Sequence, residues 1–187
     1  MQIKLKGNQN SWGLVAIFSH WIIAFLLLIQ FTSGIRLSTM NFSYSKLELI
    51  DFHQSIGSVI MIFVFFRIIW RFYNSKPFNR ELPNYHLKLS KITHLVLYFL
   101  LFSVPLLGLL YNWLSDMDII IFGLITVPNI IIFENEDLAD ILIEIHFYLA
   151  IFFIFIVIVH FFAALYHLII IKDRYKIFYR MRFKSIK

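Results

Sequence analysis

The stretch IEIHFYLAIFFIFIVIVHFFAALYHLIII, residues 143–171, is apolar enough to lie in lipid, yet it carries a glutamate and three histidines, His146, His160 and His167. Ionisable side chains within a membrane are costly and usually mark function. The interval from His146 to His160 advances an α-helix by about 21 Å through nearly four whole turns. These two histidines therefore share one face at two depths, and His167 lies near the same stripe. One metal ion cannot join His146 to His160 over that distance, so the spacing predicts two separate sites.

Three other stretches of the chain are also long and apolar. Of the 187 residues, 60% are hydrophobic, and a bilayer core needs about 20 apolar residues per helix. The first stretch is too long for the core of a signal peptide and no small-residue cleavage pattern follows it, so we expect it to be retained. The sequence predicts an all-α membrane protein of one domain, 1–187, a bundle of four transmembrane helices over about 12–31, 52–73, 92–113 and 138–171.

Charge alternates sharply between the connections. The N-terminus, the second connection and the tail are basic, and they hold Lys4, Lys6, Lys76, Arg80, Lys88, Lys91, Lys172, Arg174, Lys176, Arg180, Arg182, Lys184 and Lys187. Residues 113–138 contain no Lys or Arg and several acidic residues. The positive-inside rule therefore predicts that both termini are cytoplasmic, in a multi-pass protein of the bacterial inner membrane. The net charge of +6 is then explained by membrane topology and by contact of the basic segments with lipid headgroups. No nucleic-acid partner is expected.

The third connection contains an apolar run that Gly123 and Pro128 interrupt. The run is too short for a fifth span. We expect it to form an interfacial segment that caps the bundle.

Histidines are concentrated in the predicted spans. Only His86, of the seven histidines in the chain, is expected in a connecting loop. One buried histidine can simply join two helices by a hydrogen bond, but six of them in four helices make that explanation weaker. Counting residues inwards from the predicted membrane boundaries gives three approximate pairs, His20 with His160, His53 with His146, and His94 with His167.

Pairs of imidazoles limit the choice of cofactor. The absence of cysteine excludes disulfides, thiolate metal sites and iron–sulfur clusters held by cysteine. Zinc usually takes three or four protein ligands, whereas haem iron needs only two because the porphyrin supplies four nitrogens. An apolar four-helix bundle also suits the macrocycle, so the pattern favours two haems forming an electron path across the membrane. The alternative of another class is a transporter of protons or metal ions, although broken helices and repeated halves are not evident.

The chain resembles the prokaryotic cytochrome b561 family of di-haem membrane electron carriers over nearly its full length. The resemblance rests on the order and spacing of SHWIIA at His20, FHQSIG at His53, FRIIWR at Arg67–Arg71, THLVLYFLLFSVPLLG from Thr93, FGLITVP at Phe122–Pro128, and IHFYLA and VHFFAALYH around His146 and His160. It implies a bundle that binds two haem b groups. The implied iron ligands are His20 and His160 for the haem nearer the cytoplasm, and His53 and His146 for the haem nearer the periplasm.

The same resemblance implies a membrane quinone as partner. Some members oxidise superoxide and reduce ubiquinone, whereas related subunits anchor hydrogenases or formate dehydrogenases. We therefore expect electron transfer between a small or protein donor on the periplasmic side and quinone, with an anchor subunit of a dehydrogenase complex as the first alternative. The sequence is compatible with a homodimer or a partner subunit. Arg36 and Lys46 could attract an anionic donor such as superoxide, although the acidic third connection opposes it.

The remaining histidines and two arginines are candidates for roles beside the inner haem. His94 and His167 could hydrogen-bond quinone, a haem propionate or a proton-carrying water, and a purely structural hydrogen bond is the alternative. Arg67 and Arg71 could pair with propionates. The alternative for both arginines is that their long side chains reach the lipid headgroups.

Overall fold

The computed structural model describes residues 5–8, 11–75, 77, 83–131, 133–172 and 181. The described residues form four helices and one hairpin: α1 (Leu14–Thr39), α2 (Tyr44–Tyr73), α3 (Asn84–Leu114), β1 (Ile119–Ile121), β2 (Ile125–Val127) and α4 (Glu136–Ile169). All four helices are long and apolar enough to cross a membrane. The predicted four-span, all-α bundle is therefore confirmed.

Three of the four described helices, α1, α2 and α3, extend well beyond the predicted spans. Helix α2 begins at Tyr44 and α3 at Asn84, about two turns before the apolar stretches begin, and α1 continues to Thr39. Hydropathy locates only the part of a helix that lies in hydrocarbon, whereas capped polar turns continue into the interface. Ser43 caps α2 by accepting a hydrogen bond from the backbone N–H of Lys46 at 3.3 Å, and Asn135 caps α4 through Leu138 at 2.9 Å.

Most of the basic residues behind the topology prediction lie outside the described residues. They are Lys4, Lys76, Arg80, Arg174, Lys176, Arg180, Arg182, Lys184 and Lys187. The cytoplasmic location of the termini stays a prediction. Below, the end of the bundle that carries the hairpin is called the outer end, and the opposite end is called the inner end.

The helices pack as two antiparallel pairs. Helix α1 lies along α2 and α3 lies along α4, and α2 joins the pairs through its contact with α3. The buried centre is formed by Ile60 and Val64 of α2, Leu100 and Val104 of α3, and Phe153 of α4. Large apolar side chains elsewhere remain exposed, which is expected where lipid is the solvent. They include Phe18, Phe25, Phe99, Phe155 and Phe161.

The third connection forms an antiparallel hairpin in which Ile119 pairs with Val127. Its turn contains Gly123 at a φ of 71°, a conformation that glycine adopts without strain. The backbone N–H of Phe122 donates to the hydroxyl of Ser55 on α2 at 2.9 Å, and Ile119 is buried. The expected interfacial segment is thus a hydrogen-bonded hairpin, held against the outer half of α2 close to His53.

Candidate cofactor site: an outer histidine pair and an inner histidine cluster

Two histidines face each other across the outer half of the bundle. His53 comes from α2 and His146 from α4, and their ring centroids lie 6.3 Å apart at an interplanar angle of 74°. Both side chains are half-buried. The structure therefore brings together the two residues that the sequence paired at this depth, and they are called the outer pair below.

The hydrogen bonds of His146 leave one ring nitrogen available. Its Nδ1 lies 2.8 Å from the backbone carbonyl oxygen of Val104. A carbonyl can only accept, so Nδ1 carries the proton and Nε2 keeps its lone pair. The neighbouring Pro105 lies inside the continuous helix α3 and lacks the N–H that a helix interior normally uses.

The tautomer of His53 follows from its neighbours on α1. The hydroxyl of Ser33 donates to the backbone carbonyl of Gln30 at 2.9 Å, so the same oxygen accepts from Nδ1–H of His53 at 2.8 Å. Nε2 of His53 therefore carries a lone pair, and it accepts from the side-chain amide of Gln30 at 2.9 Å. Both members of the outer pair thus have a protonated, anchored Nδ1 and a basic Nε2.

Three glycines provide the space that this arrangement needs. A Cβ atom on Gly34 would lie 3.2 Å from the ring of His53, and one on Gly108 would lie 3.3 Å from the ring of His146. A Cβ on Gly57 would lie 3.1 Å from the amide nitrogen of Gln30. Sequence reasoning did not identify Gln30, Ser33 or these glycines as parts of the site. The available signal was the presence of glycine inside three apolar helices, where it weakens the helix unless packing requires it.

The inner half of the bundle holds an inner cluster of three histidines, His20, His94 and His160. The rings of His94 and His160 are in contact, with centroids 5.6 Å apart. His20 lies close enough to interact electrostatically with both of them. Nδ1 of His94 donates to the backbone carbonyl of Ser90 at 2.6 Å. The structure therefore brings His20 near His160 as predicted, but it also places His94 directly against His160.

The predicted pairing of His94 with His167 stays a prediction, since the ring contact of His94 is with His160. His167 contacts His86, at a centroid distance of 5.3 Å. His86 is half-buried in the first turn of α3, so its expected place in a loop is wrong. The reason is the early start of α3: once residues from Asn84 onwards are helical, the antiparallel register of α3 and α4 brings His86 level with His167.

Two arginines of α2 approach the inner cluster and turn inwards. Arg67 donates from Nη1 to the carbonyl of Ala16 at 2.9 Å and to the hydroxyl of Ser19 at 3.1 Å. The guanidinium of Arg71 lies over the ring of Tyr98, 5.2 Å from its centroid. Both contacts keep the positive charges within the bundle, where they could face an anionic group.

An open groove lies at the outer end, between the end of α1 and the start of α2. Its volume is about 310 Å³, and it is lined by Arg36, Met40, Ser45, Glu48, Leu49 and Phe52. Arg36 shares this groove with the carboxylate of Glu48. The ammonium group of Lys46 donates to the carbonyl of Met40 at 2.8 Å. Of the two outer cations that the sequence singled out, only Arg36 lines the groove.

These features define a four-helix membrane protein with histidine sites at two depths, a class typical of membrane cytochromes b. Residues 11–181 match the family model described as "Prokaryotic cytochrome b561". The chain is 29% identical over 177 residues to "Cytochrome b561 homolog 2" of Escherichia coli (strain K12), covering 91% of this chain and 92% of that protein. It is 30% identical over 167 residues to "Probable superoxide oxidase CybB" of Yersinia pestis, covering 88% and 93% respectively. The chain belongs to the prokaryotic cytochrome b561 family.

Membership makes this chain a multi-pass inner-membrane protein of electron transfer, and the family implies haem b. The donor atoms fit that group. Among the described residues, no group of three or more histidine and carboxylate side chains is arranged to hold a metal ion. Two imidazoles bound from opposite sides through nitrogens about 2 Å from one ion have ring centres roughly 6 Å apart, and the outer pair has this separation.

Proposed function

We propose that this chain binds two haem b groups and carries electrons across the membrane, from a donor at the outer face to quinone at the inner face. His53 and His146 would hold the outer haem, and His20 and His160 the inner one. The observation that carries the proposal is the outer pair, two opposed imidazoles that each present a basic Nε2 and anchor the proton on Nδ1. Hydrogen bonding of the second ring nitrogen is typical of iron-ligating and zinc-ligating histidines.

The bound haems supply reversible one-electron chemistry, and the protein residues supply position and insulation. Ser33 and the carbonyl of Val104 fix the orientation of the outer imidazoles. Phe31 and Phe153 pack edge to face beside the path between the two sites, at a centroid distance of 5.3 Å. Such apolar walls exclude water and keep a low dielectric around the electron path.

The inner end has the groups that quinone reduction needs. Quinone takes up two electrons and two protons, so its site requires proton donors and a route to water. Nδ1–H of His94 is tied to Ser90, which leaves Nε2 as the atom able to exchange a proton. Arg67 and Arg71 would stabilise negative charge on a propionate or on a reduced quinone oxygen. His86 and His167, in mutual contact at the mouth of this region, would pass protons between the site and the aqueous interface.

Superoxide is the donor that we propose first, because the relative from Yersinia pestis carries that activity in its name. Two superoxide anions would each give one electron and leave as dioxygen, and the two electrons with two protons would convert quinone to quinol. Arg36 in the outer groove is the residue placed to attract the anion. Glu48 opposite and the acidic third connection weaken that attraction, so a neutral small donor or a redox protein is the second candidate.

Two other functions predict different behaviour of the purified chain. An anchor subunit of a dehydrogenase complex would take electrons only through its partner subunit. A transporter of protons or metal ions would be colourless. A homodimer is compatible with either role.

The deciding experiment is a dithionite-reduced minus oxidised visible spectrum of the purified full-length chain, with pyridine-haemochrome quantitation. We expect a sharp b-type α-band and about two haems per chain. Reduction by superoxide, followed by reoxidation with a soluble ubiquinone analogue, then tests the direction. A chain without haem, expressed with adequate haem supply, would refute the cytochrome proposal and favour the transporter. One haem per chain would show that one of the two ligand pairs is wrong.

A further inference from the structure

Gln30 stands out because it controls both ring nitrogens of His53. Its side-chain amide donates to Nε2 of His53 at 2.9 Å. Its backbone carbonyl accepts from the hydroxyl of Ser33, and this donation obliges the Ser33 oxygen to accept from Nδ1–H of His53. The hydrogen bonds at Nδ1 and at Nε2 require the same tautomer. If Nε2 of His53 carried the proton, its N–H would point at the N–H of the Gln30 amide, and two donors would face each other. Gln30 therefore determines the tautomer of His53 and also donates a hydrogen bond to the lone pair on its Nε2.

The environment of the Gln30 side chain is built for this contact. Gly57 faces the amide so closely that a Cβ there would lie 3.1 Å from its nitrogen. Among the described residues, Oε1 of Gln30 is buried and accepts no hydrogen bond. A buried polar atom without a partner is costly. The bond from the amide nitrogen to His53 and the close approach of Gly57 fix one side of the amide, while Oε1 remains unsatisfied.

An imidazole nitrogen has one lone pair, and it cannot accept a hydrogen bond and bind iron through it at once. We infer that Gln30 is a positioning residue that competes with iron for Nε2 of His53. It holds the ring ready, in the tautomer that ligation requires, and its amide must leave when iron binds. This inference rests on the proposed function, in which His53 is an iron ligand.

Replacing a residue that competes with iron should change haem affinity in the opposite direction to replacing a residue that supports the ligand. Loss of a supporting residue weakens cofactor binding, whereas loss of a competitor strengthens it. Because a net hydrogen bond is modest in free energy, Gln30→Met should raise the affinity of the outer pair for haem roughly three- to tenfold. Methionine matches glutamine in length and has no N–H donor, so it preserves packing.

The matched control is Gln54→Met. Gln54 is also a half-buried glutamine of the outer half, adjacent in sequence to His53, but its amide donates to Oδ1 of Asn112 at 2.8 Å rather than to a histidine. Haem affinity is measured by equilibrium partition of haem between apomyoglobin and the full-length chain in nanodiscs. A His160→Ala background limits binding to the outer pair. Stronger binding by Gln30→Met alone supports competition, and equal or weaker binding overturns it.

A second measurement needs no haem. The full-length chain, purified without haem and labelled with ¹⁵N-histidine, should show His53 with a protonated Nδ1. Its Nε2 resonance should shift in Gln30→Met and stay unchanged in Gln54→Met, with the signal assigned by its loss in His53→Ala. A protonated Nε2, or the same Nε2 resonance in the wild type and Gln30→Met, overturns the inference. If the wild-type chain takes up no haem at all, the proposed function fails and the competition with it, whereas two haems without a Gln30 effect refute the inference alone.

Discussion

The outer pair and the inner cluster are built from the same residue type and differ in how many imidazoles they bring together. In the outer pair, His53 and His146 face each other and each has its Nδ1 anchored. In the inner cluster, three imidazoles lie close together, and two arginines approach them. The outer half is suited to hold one rigid cofactor. The inner half has more imidazoles than one iron needs, which suits a site that must also exchange protons.

The largest expected effect is on the outer pair itself. His146→Ala removes one of only two opposed imidazoles, so the outer haem should be lost and the haem content should fall from about two to about one per chain. Pyridine-haemochrome quantitation measures it. His86→Ala is the control, because His86 lies on the neighbouring helix against His167, and it should keep both haems. Full haem content in His146→Ala would contradict the assignment.

Replacement of single histidines in the inner cluster tests which of them pairs with His160. We expect His20→Ala to lose the inner haem, whereas His94→Ala should keep it and slow quinone reduction roughly a hundredfold through loss of a proton-exchanging group. Haem content and quinone reduction rates of both variants distinguish the roles. The reverse pattern, with haem lost only from His94→Ala, would make His94 the partner of His160.

The close contact of glycine with the outer pair should have a smaller but specific effect. In Gly108→Ala, the added methyl group would lie 3.3 Å from the ring of His146, which is closer than such groups normally approach, so the ring must shift by a few tenths of an ångström. Overpacking of this kind costs about 1–3 kcal/mol, or roughly a five- to 150-fold loss of outer-haem affinity.

Partition of haem against apomyoglobin measures the change, and Ser38→Ala on α1, which only loses a bond to the carbonyl of Ile35, serves as the control. The inner haem should be retained in full. Equal affinities of Gly108→Ala and the wild type would show that the ring has room to move.

The smallest expected effect concerns the hairpin over the outer half. Ser55→Ala removes the acceptor for the backbone N–H of Phe122, which is worth about 1 kcal/mol. We expect roughly fivefold faster hydrogen exchange of the hairpin amides, with both haems retained. Ser58→Ala is the matched control, because that hydroxyl only donates within α2, to the carbonyl of Gln54. Equal exchange in the two variants would mean that packing alone holds the hairpin.

Sequence patterns located the spans and most of the histidines correctly, and they failed where tertiary contacts decide. Hydropathy could not show that α3 begins at Asn84, so His86 was placed in a loop and its contact with His167 was not predicted. Nothing in the hydropathy of the third connection distinguishes an interfacial coil from a hairpin. That hairpin depends on a hydrogen bond from Phe122 to Ser55, residues far apart in the chain.

The sequence by itself determined the membrane class, the four spans and the family, because lipid imposes length and apolar composition locally and the histidine spacing sets depth along one helix. Only the tertiary structure decided which imidazoles meet, which nitrogen of His53 carries the proton, and why Gln30, Gly34 and Gly108 matter. Those features arise from the lateral packing of helices, where a few tenths of an ångström between a glycine and a ring determine what fits. The pattern of residue types along one helix contains no information about that distance.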